Sequence, residues 1–283
     1  MRHSLNPLLA ALAVLAGPLA AQAPVMHLPH DPPGVGELAV MGTIPIYWGE
    51  RGDFADLLGG EGSGHWARPV IEQTYRLRPL DYLSAQALHG HSRLLLAQPR
   101  GLSAEENVAL DAWVRGGGRL LLFADPLMTG HSDFALGDRR RPQDVALLSP
   151  ILRHWGLELQ FDPDQMPGVV SADAGIAHLP ANLRGQLLAA ADSGCRVLGD
   201  GLAARCVLGA GEVLVVADAA LLDAEEPSAG GEQGLAALID SIFSDIRLIT
   251  GESGTGSEPV GANVGNQTIF DSTAISEEGA APS

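Results

Sequence analysis

Apolar residues along this chain fall into short continuous runs, separated by segments in which they recur every three or four positions. The clearest case lies between Arg93 and Pro126. Leu94 to Ala97 and Leu120 to Ala124 are apolar without interruption, which is the pattern of interior parallel strands covered on both faces. Between them, Leu110, Trp113 and Val114 share one helical face. Ser103 precedes that segment and Glu106 follows three positions later, a capping box. Gly116, Gly117 and Gly118 then stop the helix. The unit reads as strand, helix, strand. It ends each strand in a polar residue before proline, Gln98-Pro99 and Asp125-Pro126. A parallel unit of this kind sets both strand ends at one rim of a sheet, where open α/β proteins hold ligands.

The same reading extends along the chain. Glu37 to Trp48 is a buried strand, Trp66 to Tyr75 a helix with Pro69 in its first turn, and Tyr75 to Tyr82 a second strand. Arg139 to Gly156 is a basic loop and a helix, with Val145, Leu148, Ile151, Leu152 and Trp155 on one side. A short strand follows at Leu157 to Phe161, then a helix at Leu183 to Ala191. Cys195 to Leu198, Ala203 to Leu208 and Glu212 to Ala217 form a three-stranded meander. Gly234 to Ile249 closes the domain as an amphipathic helix. The expected fold class is α/β: a mainly parallel central sheet flanked by helices, finished by an antiparallel segment. The expected organisation is a signal peptide or membrane anchor over 1–23, a Pro/Gly/His-rich linker over 24–36, one α/β domain over 37–249, and a disordered acidic tail over 250–283.

Charge and the first residues narrow the setting. The 283-residue chain carries a formal net charge of -17, which repels nucleic acid and anionic lipid. Arg2 precedes the Leu/Ala run Leu8 to Ala21, and small residues follow it, the signature of an export signal. Cleavage after Ala23 would face Pro24; cleavage after Ala21, or none, are the other outcomes. The expected location is the periplasm, or a membrane tether facing it. Two cysteines, Cys195 and Cys206, flank an Asp200-Gly201 hairpin turn that sets them directly opposite each other. Export permits a disulfide. Counting from a two-residue turn puts the pair at a hydrogen-bonded position, where opposed residues lie further apart, so a bridge and two reduced thiols both stand.

The candidate chemistry gathers at strand ends. Tyr47, Trp48 and Glu50 come from the end of the first strand, Gln98 and Arg100 from that of the second, and Asp125 from that of the third. Together they offer an aromatic wall, two carboxylates, an amide and a guanidinium for a small polar ligand; the plainer reading pairs Arg100 with Asp125 or Glu50. Arg139, Arg140 and Arg141 form a basic cluster suited to an anion or an acidic partner, with Asp133 and Asp138 at hand to neutralise it. His89, His91 and His131 lack metal-ligand spacing, so no metal is expected. The glycine-rich stretch Gly59 to Gly64 lacks both the P-loop ending and a dinucleotide-site context. No serine stands in a Gly-x-Ser-x-Gly elbow. No cofactor is expected.

The run LLLAQPRGLSAEENVALDAWVRGGGRLLLFADP resembles the auxiliary, substrate-binding-like component associated with gliding-motility ABC transporters, in the superfamily with a class I glutamine amidotransferase-like (flavodoxin-like, Rossmann-like) fold. GAGEVLVVADAALL, in which Asp218 ends a strand, extends the resemblance, which covers roughly Leu38 to Phe243. It implies membrane transport components as partners. It also implies a test. Enzymes of that superfamily place a cysteine on a strained turn after a central strand, and the matching turn here holds Asp125 and Pro126. A missing nucleophile favours an exported, non-catalytic protein that binds a small ligand or a membrane-protein partner. The alternative is a hydrolase or amidotransferase-like enzyme using carboxylates at the rim; a pure scaffold is the third reading.

Overall fold

The computed structural model describes residues 36–49, 64–135, 137–138 and 140–244. The export segment, most of the linker, Glu50, positions 59–63 of the glycine-rich stretch, Arg139 and the acidic tail lie outside them.

A seven-stranded sheet in the order β2-β1-β3-β4-β11-β10-β9 forms the centre. Its first five members are parallel: β1 (Gly36–Gly42), β2 (Tyr75–Pro79), β3 (Arg93–Ala97), β4 (Arg119–Phe123) and β11 (Gly211–Val216). β10 (Ala203–Leu208) and β9 (Cys195–Leu198) continue it antiparallel. The coarse expectation is therefore what the structure contains: α/β, a mainly parallel sheet with helices, and a late antiparallel segment.

The continuous apolar runs are explained by burial on both faces. Residues alternate along β3 and β4, so that Leu95, Ala97, Leu121 and Phe123 pack on one side and Leu94, Leu96, Leu120 and Leu122 on the other. Helices α1 (Ala67–Glu72) and α5 (Gly231–Phe243) cover the first face through Ala67, Ile71, Leu235, Leu238 and Ile242. On the second face α2 (Ala85–Leu88), α3 (Ala104–Arg115) and α4 (Ser149–Trp155) contribute Leu88, Leu110, Val114, Ile151 and Trp155. The chain leaves β1 over one face toward α1 and leaves β3 over the other toward α3. The carboxyl ends of β1 and β3 thus flank a topological switch point, where open sheets gape.

Several expectations need correction. β1 ends at Gly42, well before Trp48. A Cβ on Gly42 would lie 2.0 Å from the carbonyl oxygen of Ala97, and Thr43 donates its N–H to that same carbonyl, turning the chain out of the sheet. The segment from Leu183 is not a helix. It contains the strand β8 (Gly185–Ala189), antiparallel to β5 (Leu157–Phe161). Leu187 is buried while Gln186 and Leu188 are exposed, a period of two. A further hairpin, β6 (Val170–Asp173) with β7 (His178–Ala181), had no sequence expectation. Helix α4 begins only at Ser149, and Val145 lies outside it, exposed.

The capping box of α3 is present in full: Ser103 accepts from the N–H of Glu106, and Glu106 accepts from the N–H of Ser103. Cys195 and Cys206 are opposed in register, as counted from the turn, and are joined as a disulfide with Cα atoms 3.9 Å apart. The hydrogen-bond phase differs from the expectation. Val207 donates to the carbonyl of Gly194, so the adjacent cysteine pair occupies a non-hydrogen-bonded site, where strands approach more closely. The cause is the turn: β9 stops at Leu198 and β10 starts at Ala203, leaving four residues in the loop instead of two.

Candidate functional site: two cavities at the carboxyl rim of the sheet

The loops after β1, β3, β4 and β11 converge at one rim. A cavity of about 620 Å³ lies over the carboxyl ends of β1 and β2, bounded by residues from the loops after β3 and β4. Its walls include Tyr47, Trp48, Asp81, Arg100, Phe134 and Arg140. A smaller cavity of about 280 Å³ shares Ile44, Pro45 and Gly49 with it and is otherwise bounded by Gly64, His65, His131, Pro142 and the segment 222–226 after β11.

Four sequence candidates meet in the larger cavity. Tyr47 and Trp48 stand edge to face with ring centroids 4.7 Å apart. Arg68 fixes Tyr47, lying 4.5 Å over its ring and donating from Nη1 to its carbonyl at 2.8 Å. Trp48 is 64% exposed, a large apolar surface open at the mouth of a cavity. Arg100 does not pair with Asp125. Its Nη1 and Nη2 donate to Oε2 and Oε1 of Glu106 at 2.8 and 2.9 Å, a two-pronged geometry that fixes the guanidinium plane. Glu106 is buried. Burial pushes its carboxyl up, but Arg100 and the amides of Ser103 and Leu83 outweigh that and hold it at about 2. One side chain therefore caps α3, ties Leu83 and orients Arg100. Arg140 lies 4.3 Å over the Phe134 ring and pairs with Asp138 at 2.8 Å. The Arg140 contact brings the Asp138 carboxyl down to about 2.

The remaining candidates have structural partners. Gln98 is fully buried and adopts a positive φ of 47° immediately before Pro99. Its Nε2 donates to the carbonyls of Asp125 and Gln143, and its Oε1 accepts from the N–H of Asp125. Thr43 completes the clamp: its hydroxyl donates to the carbonyl of Gln98 and accepts from the N–H of Gln143. Arg141 donates to the carbonyl of Phe134 and to Asp144. Asp125 is 1% exposed. Its Oδ1 accepts from Leu127 N–H at 2.8 Å and its Oδ2 from Ala219 N–H at 2.9 Å. It holds loops together and does not face the larger cavity.

Sequence reasoning missed the partner of Asp125. Asp218 ends β11 as Asp125 ends the neighbouring β4, and it too is buried. Its oxygens accept from Ala220 N–H at 2.7 Å and Asn182 N–H at 2.9 Å. Burial, and next the charge of Asp125, push its carboxyl up to about 8. Burial also raises Asp125, against the pull of the Ala219 and Leu127 amides. A signal for the pair does exist in the chain: both strands finish in an apolar residue, alanine and aspartate, Phe123-Ala124-Asp125 and Val216-Ala217-Asp218. Among the described residues no group of three His, Cys, Asp or Glu side chains could hold a metal ion.

No family model matches the chain, and no curated protein matches it. Solved structures with similarity include an exo-β-1,4-mannosidase from an Opitutaceae bacterium, 17% identical with a TM-score of 0.41, covering 75% of this chain and 37% of that one. A β-galactosidase from Bacillus circulans sp. alkalophilus is 16% identical with a TM-score of 0.39, covering 73% of this chain and 31% of that one. A cytoplasmic protein of Salmonella typhimurium LT2 is 15% identical with a TM-score of 0.39, covering 60% of this chain and 80% of that one. The chain thus spans about a third of the length of the two glycosidases. At these scores the likenesses transfer no activity. The enzymes named among these structures are glycoside hydrolases, and neither an ABC-transport auxiliary nor a glutamine amidotransferase is named. The resemblance drawn from the Leu94 to Pro126 run is therefore withdrawn, with the transporter-auxiliary role and the amidotransferase-like fold it implied.

Proposed function

We propose that the protein binds a small ligand in the larger cavity, over the carboxyl ends of β1 and β2 beside the β1/β3 switch point. The observation that carries this reading is the coincidence of three features at one place. There is a cavity of about 620 Å³, within the usual range for small-molecule sites. There is a tryptophan 64% exposed at its mouth. There is a guanidinium, Arg100, whose plane is fixed by a buried carboxylate. The two arginines are each balanced by an acid, Glu106 and Asp138, so the site does not select a strong anion by charge. It suits a compact molecule with a flat face for Trp48 and hydrogen-bonding groups along one edge. The doubly wound order β2-β1-β3-β4 supports this placement. The net charge of -17 argues against nucleic acid as the occupant. The Leu8 to Ala21 segment supports action in the periplasm or at a membrane facing it.

Thermal-shift screening of ring-containing small molecules, followed by titration, tests the reading. Binders should lose about tenfold in affinity on Trp48→Ala or Arg140→Ala, the scale of one stacking or cation–π contact. Binders indifferent to both substitutions would place the site elsewhere.

The second reading is a hydrolase using carboxylates at the rim. It is supported by the smaller cavity, where His65, His131, Asp223, Glu225 and Glu226 line one space. The carboxylates named from sequence do not serve it: Asp125 is sealed, and Glu50 lies outside the described residues. Turnover of nitrophenyl glycosides or esters that disappears in Glu225→Gln or Glu226→Gln would favour this reading over simple binding.

A further inference from the structure

Asp125 and Asp218 present an arrangement that the ligand-binding reading does not use. They occupy the ends of adjacent parallel strands, β4 and β11, with 1% and 2% exposure. Buried carboxylates are usually paired with a cation. Among the described residues no cation pairs with either of these. Their four oxygens are spent on four backbone amides: Leu127, Ala219, Ala220 and Asn182. Those amides belong to three separate loops. The loop after β4 runs on to His131, and the loop after β11 runs on through Leu222 to Glu226; both line the smaller cavity. Asn182, from the β7–β8 loop, also donates from its side chain to Thr129 and accepts from Gly168 N–H. The two carboxylates therefore tie together the loop after β4, the loop after β11 and the β7–β8 loop.

The charged groups that act on Asp218 are both negative. Asp125 faces it from the loop after β4 and Asp223 from its own loop, each raising its proton affinity. Asp223 itself accepts from the N–H of Gly130. From the β7–β8 loop come the neutral Asn182 and the cationic Arg184, whose guanidinium points to the carbonyl of Asp200 and pairs with neither carboxylate. Two full negative charges side by side in this space would be opposed both by burial and by each other.

We propose that Asp125 and Asp218 form a proton-linked latch: while the pair retains a proton it holds the loops after β4 and β11 and the β7–β8 loop together at the smaller cavity, and loss of its last proton releases them. This goes beyond the ligand-binding reading, which concerns the other cavity and would survive its failure. The sign follows from linkage. Asp218 is raised from about 4 in an opened, hydrated rim to about 8 in the closed one. Closure is then fully supported below about pH 4 and weakens as pH rises toward 8. Above that value both forms have lost the proton, and no further change follows. The pair titrates as a unit, so the step belongs to both residues together.

Amide hydrogen exchange on the full chain, corrected for intrinsic rate, tests this between pH 5 and 9. Protection of the Leu127, Asn182, Ala219 and Ala220 amides should fall by about tenfold per pH unit toward pH 8 and then level off. Amides inside β3 should show no such trend. Asp218→Asn should abolish the slope. Asp125→Asn, which removes the neighbouring charge, should move the levelling point to lower pH, and it serves alone if the first variant does not fold. A flat wild-type profile at these four amides, or an unchanged slope in Asp218→Asn, would overturn the proposal.

Discussion

The rim of this sheet contains two buried carboxylate sites with opposite electrostatics. Above β3, Glu106 is 1% exposed, and the Arg100 guanidinium beside it holds its carboxyl at about 2 despite burial. Above β4 and β11, Asp125 and Asp218 are equally buried, have no cation beside them among the described residues, and move upward, Asp218 to about 8. Burial is common to both; the partner decides the sign. The difference also separates roles. A carboxylate that holds a half-exposed guanidinium presents a fixed polar group to solvent, and the larger cavity opens there. Carboxylates that hold only backbone amides seal the loops they touch. Position at the carboxyl rim of a parallel sheet therefore does not by itself make a residue accessible to a ligand.

The contrast can be broken by substitution, most severely at the clamp between the two regions. Gln98→Leu removes three buried hydrogen bonds and strands the N–H of Asp125. It should cost about 3 kcal/mol of stability in urea unfolding. Replacing both cysteines by serine frees a bridge closing a separation of 11 residues. A loss of about 2 kcal/mol is expected by the same measurement, and the native protein should show a similar loss under reductant. The pH profile should separate the carboxylates by sign. The contribution of Glu106, whose carboxyl is depressed, is present above the ordinary carboxylate range and lost as pH falls toward 2. The contribution of Asp218 runs the other way, lost as pH rises from about 4 to about 8. Arg100→Ala should therefore lower stability at neutral pH, flatten its decline toward pH 2 and leave the pH dependence near pH 8 unchanged. The smallest stability effects belong to Trp48→Ala and Arg140→Ala, within about 0.5 kcal/mol of wild type, since both side chains are mostly exposed.

What could be read from the chain follows from how local each signal is. β3, α3 and β4 were legible because two-sided burial writes an unbroken apolar run and the Ser103–Glu106 box marks a helix start within four residues. The register of β9 against β10 was legible from Asp200-Gly201, although the turn is longer than that dipeptide suggests. β8 was misread because the Leu187-Leu188 pair and the alanines after it look helical; only pairing with β5, 28 residues earlier at Leu159↔Leu187, selects the strand. Asp125 was misread for a similar reason. A carboxylate after an apolar strand looks like a rim ligand, and the amide that occupies it comes from Ala219, 94 residues later. The same distance hid Asp218 as its neighbour. Tyr47, Trp48, Arg100 and Arg140 do meet in one cavity, but no local pattern signals that Glu106 holds Arg100 as well as capping α3.

The central claim, that ligands enter over β1 and β2 while the β4/β11 rim is sealed, is tested most directly by mapping a screened ligand by amide chemical shift. Shifts should centre on residues 43–49, 79–81, Arg100, Phe134 and Arg140, need about tenfold more ligand with Trp48→Ala, and persist with Asp125→Asn. Shifts centred instead on His65, His131 and residues 222–226, and lost with Asp125→Asn, would contradict the account.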